Sequence, residues 1–444
     1  NKILDSKDLI DAGKKITQIK FKQKDNKYTN YFRNFKFFYD KFDELFVSTL
    51  NTFAEYILEK SEIIEIRSWN VEQAITMFNS LNSDGMPLLD ADIISAKLYS
   101  NSGSERDDFN NNWEELKKVI ALLEQRKIAN IDNILMQYMY IRRSLDKEYI
   151  SDTGAVSVTT PGLRRYYTED KKELLDNPIS LTARLLKISK IWDKISDYSI
   201  VQLAFKFNEN IKIYLVSYLY KYELGEITNT LVTMFLHHLL RIFVILELVD
   251  IGYSSSKFKT FLFELNIKLV DKKVDLKEIK KDINNHINSK WDKQEIKENI
   301  LDYTKNSLVY LCEYLMCLKD NSIFVLPEKC EVEHIMPRSG KDISQIRLDA
   351  GLRNEEEFLS VVNKVGNKML LEENINRSIS NAWFKTKIQT SVKEKSGYKD
   401  SLFLVAKKLV RHYQDDPSPS WTVSNINKRT EYISNMILDY IFNS

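Results

Sequence analysis

Apolar side chains recur every three or four residues along most of this chain, and this spacing constrains the fold more than any other feature. One example is YFRNFKFFYDKFDELFVSTLNTFAEYILEK (31–60), in which aromatic and aliphatic residues return to one face for several turns. The aromatic stripe of this segment predicts core packing. Glycine (11) and proline (7) are scarce among the 444 residues, so few turns interrupt the elements. The pattern predicts a mainly α-helical protein.

A chain of this length is too long for one hydrophobic core, so we expect two or three domains. The polar segment NSGSERDD (101–108) indicates one domain boundary. A second boundary is indicated where the run of long helices gives way to short strand-like segments in the last third of the chain. We therefore predict three multi-helical domains, 1–105, 106–305 and 306–444, of which the second is a helical connector.

The segment LVTMFLHHLLRIFVILELVDI (231–251) is nearly long enough to cross a bilayer. It carries His237, His238, Arg241 and Glu247, each of which is costly at the centre of a membrane. We expect a buried helix of a cytoplasmic protein with no membrane partner. Adjacent helix residues point about 100° apart, so the two histidines are expected to pack rather than to share a metal.

Net charge and cysteine content limit the partners and the cellular compartment that this chain can have. The formal net charge of +2 restricts any nucleic-acid contact to a local basic face. The three cysteines, Cys312, Cys317 and Cys330, are odd in number and show no pairing pattern, which is typical of a reducing cytoplasm. Cys330 stands four residues before His334, but no second Cys/His pair completes a zinc site.

The last third contains a strand, an excursion, a second strand and a helix. The first predicted strand, 331–335, ends in front of Pro337. A variable stretch (339–362) leads to a turn at Gly366, a short strand at 368–371 and a helix. This order is the outline of a ββα unit.

Residues suited to phosphodiester hydrolysis follow this outline in the order Glu333, His334, Asn367 and Asn376. The reaction needs a base for the attacking water, a cation for the leaving oxygen and a rigid scaffold. Histidine titrates near neutral pH, and Mg²⁺ prefers hard oxygen ligands such as a carboxylate and an amide. Neighbouring strand residues point to opposite faces, so Glu333 and His334 can share a centre only where the strand ends and twists.

VEHIMPRS (332–339) followed by GNKMLLEENINRS (366–378) resembles the HNH, or ββα-metal, nucleases. The two asparagines stand nine positions apart (376 − 367), as in the second half of that motif. The resemblance implies that His334 is the general base and that Glu333 and Asn376 hold Mg²⁺ or Mn²⁺. It also implies that Asn367 ties the hairpin loop so that His334 is oriented.

Together with SGYKDSLF (396–403), these motifs resemble the C-terminal domain of GmrSD-type restriction endonucleases, a modification-dependent type IV class. Upstream, YFRNFKFFYDKF (31–42) and MFNSLNSDGMPLLDADIISAKLY (77–99) resemble the tail of a GmrS-like, ParB-like domain. The resemblance makes 1–105 an incomplete GmrS-like domain and 306–444 a GmrD-like HNH nuclease domain. The signature for nucleotide hydrolysis would lie before residue 1, so an NTP is expected only if that part is present.

The chain is thus expected to be a metal-dependent DNA endonuclease that restricts foreign phage DNA. Its expected partner is double-stranded DNA, modified or not, and a homo-oligomer is left open. Arg377, Lys385 and Lys387 are candidates for contacts with DNA phosphates. Two alternatives stay open: a non-catalytic nucleic-acid-sensing subunit of a defence complex that has kept an HNH shell, and an RNase that uses the same site.

Overall fold

The computed structural model describes residues 37, 41, 59, 60, 89–150, 158–352, 354–389 and 396–443. The chain divides into two compact units, Asn1–Ala74 and Ile75–Ser444, and the second is described below. Most of the segments 31–60 and 77–99, on which a helix prediction and the GmrS-like resemblance rest, lie outside the described residues.

Helices dominate the described part of the chain, which confirms the mainly α-helical fold class. Up to residue 248 they are α1 (Asp90–Asn101), α2 (Arg106–Gln125), α3 (Ile131–Leu145), α4 (Leu163–Arg165), α5 (Pro178–Ile195), α6 (Ser199–Ala204), α7 (Ile211–Tyr220) and α8 (Asn229–Leu248). Four further helices precede the sheet: α9 (Phe261–Val270), α10 (Leu276–Lys290), α11 (Lys293–Leu301) and α12 (Ser307–Lys319).

Side-chain caps define where several of these helices begin. Asn177 accepts a hydrogen bond from the Ser180 N–H at 2.9 Å, directly before the proline that opens α5. Asp275 does the same for the Glu278 N–H of α10 at 2.9 Å. These polar residues satisfy amides that have no partner within the first helical turn.

Helix α8 covers most of the apolar segment 231–251, which is nearly long enough to cross a membrane. It is the one helix in the described ranges that is long and apolar enough to cross a membrane, with a mean hydropathy of 1.8. However, 61% of its window is buried inside the fold. The guanidinium of Arg241 is fully buried and donates to the Ile441 carbonyl at 2.9 Å and to Asn284 Oδ1 at 2.6 Å. This burial favours a core helix.

The adjacent histidines of α8 pack side by side. Their ring centroids are 5.1 Å apart, and His237 Nδ1 lies 3.0 Å from the Tyr314 hydroxyl. Burial, followed by the charges of Arg241 and Lys280, lowers the pKa of His237 to about 4. Burial likewise lowers the pKa of His238 to about 3. Both rings are therefore neutral near pH 7, as expected for packed residues.

The sheet is small and lies late in the chain. Strand β1 (Cys330–His334) pairs antiparallel with β2 (Lys368–Glu372), and the register places His334 opposite Lys368. The stretch between the strands folds into α13 (Ile343–Asp349) and α14 (Glu355–Val362). After β2 come α15 (Glu373–Ile379), α16 (Phe384–Gln389), α17 (Leu404–Tyr413) and α18 (Val423–Asn443).

One cluster of buried apolar residues runs through the described part of the second unit, from Ala91 to Ile441. The last helix, α18, packs against α8, α10, α11 and α12. Helix α12 in turn packs on β2, so the sheet rests on helices from the body of the unit. The domain boundaries at 105/106 and 305/306 stay predictions.

Candidate active site

The end of the hairpin is held by the side-chain amide of Asn367, which is completely buried. Its Oδ1 accepts hydrogen bonds from the Met336 N–H at 2.8 Å and from the Trp421 indole N–H at 3.0 Å. Its Nδ2 donates to the carbonyls of Met336 and Val362, both at 2.9 Å. Asn367 thus joins the segment that follows β1 to the turn that precedes β2.

Helix α18 supports the same turn from outside. A Cβ added to Gly366 would lie 2.3 Å from both the Ile426 carbonyl and Thr430 Oγ1, so only glycine allows this approach of backbone to helix. Arg429 donates to the carbonyls of Gly366 at 2.7 Å and of Lys368 at 2.8 Å. The turn is therefore fixed by polar contacts on both sides.

His334 is the last residue of β1 and is half-buried. Its Nε2 is buried and has no hydrogen-bond partner among the residues the structure describes. Burial, then the positive charge of Lys368, lowers the pKa of His334 to about 4, while the side chain of Asn363 acts in the opposite direction. The imidazole is therefore neutral near pH 7 and keeps the lone pair that a base requires.

Lys368, opposite His334 on β2, is buried as well. Its ammonium donates to the carbonyls of Thr304 and Lys305 and to Asn306 Oδ1, the last two at 3.3 and 3.1 Å. Burial, together with the charge of Arg338, lowers its pKa to about 8. The loop before α12 thus holds the cross-strand neighbour of the histidine.

Glu333 is buried, with 6% of its surface exposed. Its Oε1 accepts from the Lys387 ammonium at 2.5 Å and from the Tyr398 hydroxyl at 2.8 Å. Lys387 also donates to the carbonyls of His334 at 2.9 Å and Ile335 at 3.3 Å. Burial lowers the pKa of Lys387, while the charge of Glu333 acts to raise it.

This placement bears on the predicted phosphate contacts. The Lys387 side chain is only 1% exposed, and its ammonium already has three acceptors, so the geometry does not suit a contact with DNA. Lys385 is exposed. Arg377 is also exposed and forms an ion pair with Glu373 one turn earlier on α15. Lys385 and Arg377 are therefore accessible to a DNA phosphate.

Asn376 lies on α15, which follows β2 directly. Its Nδ2 donates to Glu331 Oε2 at 2.7 Å, a contact that sequence reasoning missed. Glu331 and Glu333 are two residues apart on β1 and so share a face of the strand. The amide of Asn376 thus bonds to Glu331 rather than to Glu333, with which it was predicted to share a cation.

The donor atoms fit a hard divalent cation better than zinc. No group of three or more His, Cys, Asp or Glu in the described ranges could hold a metal. However, Glu333 Oε2 and Asn376 Oδ1 have no hydrogen bond within the described structure, because the bonds of these residues use Oε1 and Nδ2. Mg²⁺ accepts such oxygens and keeps several waters, so two protein ligands can suffice.

Two supporting residues were not identified from the sequence. Tyr398 belongs to a segment, 396–403, that carried the resemblance but received no role. Trp421 is 54 residues beyond Asn367, to which it donates. Nothing in the local pattern marks either residue, since both act only through contacts that the tertiary fold creates.

Comparison with known proteins gives one match. Residues 255–436 match the family model of the GmrSD restriction endonucleases, C-terminal domain. No curated protein and no solved structure matches the chain. The matched range contains the hairpin, α15 and each side chain of the site, and it confirms the resemblance predicted from the sequence. Residues 255–436 are therefore similar to the C-terminal domain of the GmrSD restriction endonucleases.

Proposed function

We propose that the chain is a metal-dependent DNA endonuclease, with β1, β2 and α15 as the ββα unit of an HNH site. One observation carries the proposal. His334 Nε2 is buried without a hydrogen bond in the described structure, and Glu333 Oε2 and Asn376 Oδ1 accept no hydrogen bond there either. A buried polar atom without a partner, such as His334 Nε2, is uncommon in folded proteins and calls for a functional explanation.

Each residue has a distinct part in the proposed reaction. Neutral His334 takes a proton from the attacking water, a contribution typically worth about 10²–10⁴ in rate. Asn367 fixes the backbone that leaves β1 and so orients the imidazole. Glu333 and Asn376 would hold Mg²⁺ or Mn²⁺, which when bound neutralises negative charge on the leaving oxygen.

The substrate side of the proposal rests on the family and on charge. The family is one of restriction endonucleases, which supports double-stranded DNA as the substrate and foreign phage DNA, modified or not, as its source. Exposed Arg377 and Lys385 supply phosphate contacts near the hairpin. A cytoplasmic location is part of the proposal, and an NTP enters only with a preceding GmrS-like part.

The test uses the full chain and supercoiled plasmid, with Mg²⁺, with Mn²⁺ and with chelator. His334→Ala should cut about 10²–10⁴ times more slowly while circular dichroism and DNA binding stay unchanged. His412→Ala is the matched control, because His412 is an exposed histidine of the same domain. Cutting by His334→Ala at the wild-type rate would overturn the assignment.

Substrate arms of the same experiment address the alternatives. Modified phage DNA, unmodified phage DNA and RNA of equal mass are compared under identical conditions. Cleavage of RNA alone would replace the DNA endonuclease with an RNase that uses the same residues. A wild-type chain that binds DNA and cuts none of the substrates would favour the non-catalytic sensing subunit.

A further inference from the structure

The carboxylate of Glu333 is held on one oxygen only. Lys387 Nζ and Tyr398 Oη both bond to Oε1, at 2.5 and 2.8 Å. The two donors come from different elements, since Lys387 belongs to α16 and Tyr398 opens the 3₁₀ turn Tyr398–Asp400. Both are buried, with whole-residue exposures of 1% and 0%. Two independent segments thus converge on one atom.

The two donors are themselves anchored to the hairpin. Lys387 also donates to the carbonyls of His334 and Ile335, so one ammonium fixes the carboxylate and the backbone at the end of β1. Glu372, at the end of β2, accepts from Ser401 Oγ at 2.9 Å and from the Leu402 N–H at 2.7 Å. That contact holds the chain just after Tyr398 against the second strand.

This geometry differs from what a merely stabilising ion pair would need. An ion pair that serves stability alone gains most when hydrogen bonds use both carboxylate oxygens. Here, both donors share Oε1, whereas Oε2 accepts no hydrogen bond in the described structure and is not among its fully enclosed polar atoms. An oxygen left in this way suits a ligand that the protein alone does not provide.

We propose that Lys387 and Tyr398 are positioning residues that clamp Oε1 of Glu333 and present Oε2 to the divalent cation. The inference rests on the proposed function and extends it. The clamp fixes the carboxylate before the cation arrives, so that less side-chain freedom is lost on binding. Removing a partner of this kind typically weakens metal affinity by about 10–100-fold.

Binding of Mn²⁺ alone to the full chain, without DNA, tests the clamp. Titration is followed by the paramagnetic resonance signal of free Mn²⁺. Tyr398→Phe removes one hydroxyl and keeps the ring, and it should raise the Mn²⁺ Kd by about 10-fold. Tyr413→Phe is the matched control, because that hydroxyl accepts from Asn425 instead of contacting Glu333. An unchanged Kd in Tyr398→Phe would overturn its part in the clamp.

Lys387→Met tests the clamp independently, because positioning and charge change the Mn²⁺ affinity in opposite directions in this variant. Loss of a positive charge beside the site would by itself tighten cation binding. Weaker binding in folded Lys387→Met protein would therefore report lost positioning. Tighter binding would show that Lys387 competes with the cation, and the clamp would be overturned for this residue. If this variant does not fold, Tyr398→Phe decides alone.

Glu333→Gln separates the two levels of the proposal. If Glu333→Gln loses Mn²⁺ binding while Tyr398→Phe and folded Lys387→Met keep the wild-type Kd, the metal site stands and only the clamp fails. If Glu333→Gln binds Mn²⁺ as the wild type does, or the wild type binds none, the proposed metal site fails and the clamp fails with it.

Discussion

Replacing Asn367 with alanine should destabilise the C-terminal domain by about 4 kcal/mol. The side chain makes four hydrogen bonds, to the Met336 N–H and carbonyl, the Val362 carbonyl and the Trp421 indole, at 2.8 to 3.0 Å. A buried hydrogen bond is worth about 1 kcal/mol net, and all four partners lose theirs together. The site is completely buried, so water cannot easily replace the amide.

Asn367→Asp is the sharper substitution because it keeps the size of the side chain. The introduced carboxylate can still accept from Met336 and Trp421. Its second oxygen, however, would face the carbonyls of Met336 and Val362, to which Nδ2 now donates. Only the protonated form can donate there, so the folded state raises the pKa of the introduced carboxyl. The loss of stability should therefore be larger at pH 7.5 than at pH 5.5.

Urea unfolding of the full chain, followed by circular dichroism, measures the loss, and hydrogen exchange of the peptide that covers 334–337 locates it. Asn354→Ala is the control, since that side chain caps α14 through one exposed bond to the Glu357 N–H at 2.8 Å. Its loss should be about 1 kcal/mol. If Asn367→Ala costs no more than this control, the hairpin does not depend on the buried amide and the reasoning is refuted.

Three further predictions concern other parts of the molecule. The pKa of His238 is lowered to about 3, so the unfolded chain takes up its proton first as pH falls below 6.5; His238→Asn should reduce the loss of stability between pH 7 and 5 by about 2 kcal/mol in urea titrations. A fragment of residues 306–444, which lacks Arg241 and the carbonyls of Thr304 and Lys305, should be less stable than the full chain by thermal denaturation. Charge removal at Arg377 or Lys385 should weaken binding to all DNA sequences alike and reduce its salt dependence, measured by fluorescence anisotropy.

Local spacing was enough to predict that helices dominate and where both strands lie, but it did not predict α13 and α14 within the variable stretch 339–362. The apolar period of 231–251 anticipates α8, and the predicted strands at 331–335 and 368–371 differ from β1 and β2 by one residue at their ends. These features depend on neighbours in sequence. The pairing of His334 with Lys368 could not be predicted in this way, because the two strands are separated in the chain by two helices and their register depends on tertiary contacts.

In the candidate site, too, some features could be predicted from local sequence and others depend on tertiary contacts. The order of Glu333, His334, Asn367 and Asn376 can be read from the chain, because a motif keeps its spacing. The direction of Lys387 cannot, since a lysine in a basic run looks like a solvated charge until the fold turns it toward Glu333. The partner of Asn376 also escaped prediction, because Glu331 reaches it only once α15 has packed against β1.

The contacts of Lys368 explain why the site depends on more than the hairpin. Two of its three acceptors, the carbonyls of Thr304 and Lys305, precede the predicted boundary at 305/306. A chain cut there would leave a buried ammonium with fewer partners directly opposite His334, and the cost of that burial would fall on the strand pair itself. At the other end, the Ile441 carbonyl is bound by the Arg241 guanidinium of α8, so α18 is also fastened to the helical body. The residues of the proposed site therefore lie on a short hairpin and helix, whereas their geometry is set by helices on both sides of the boundary.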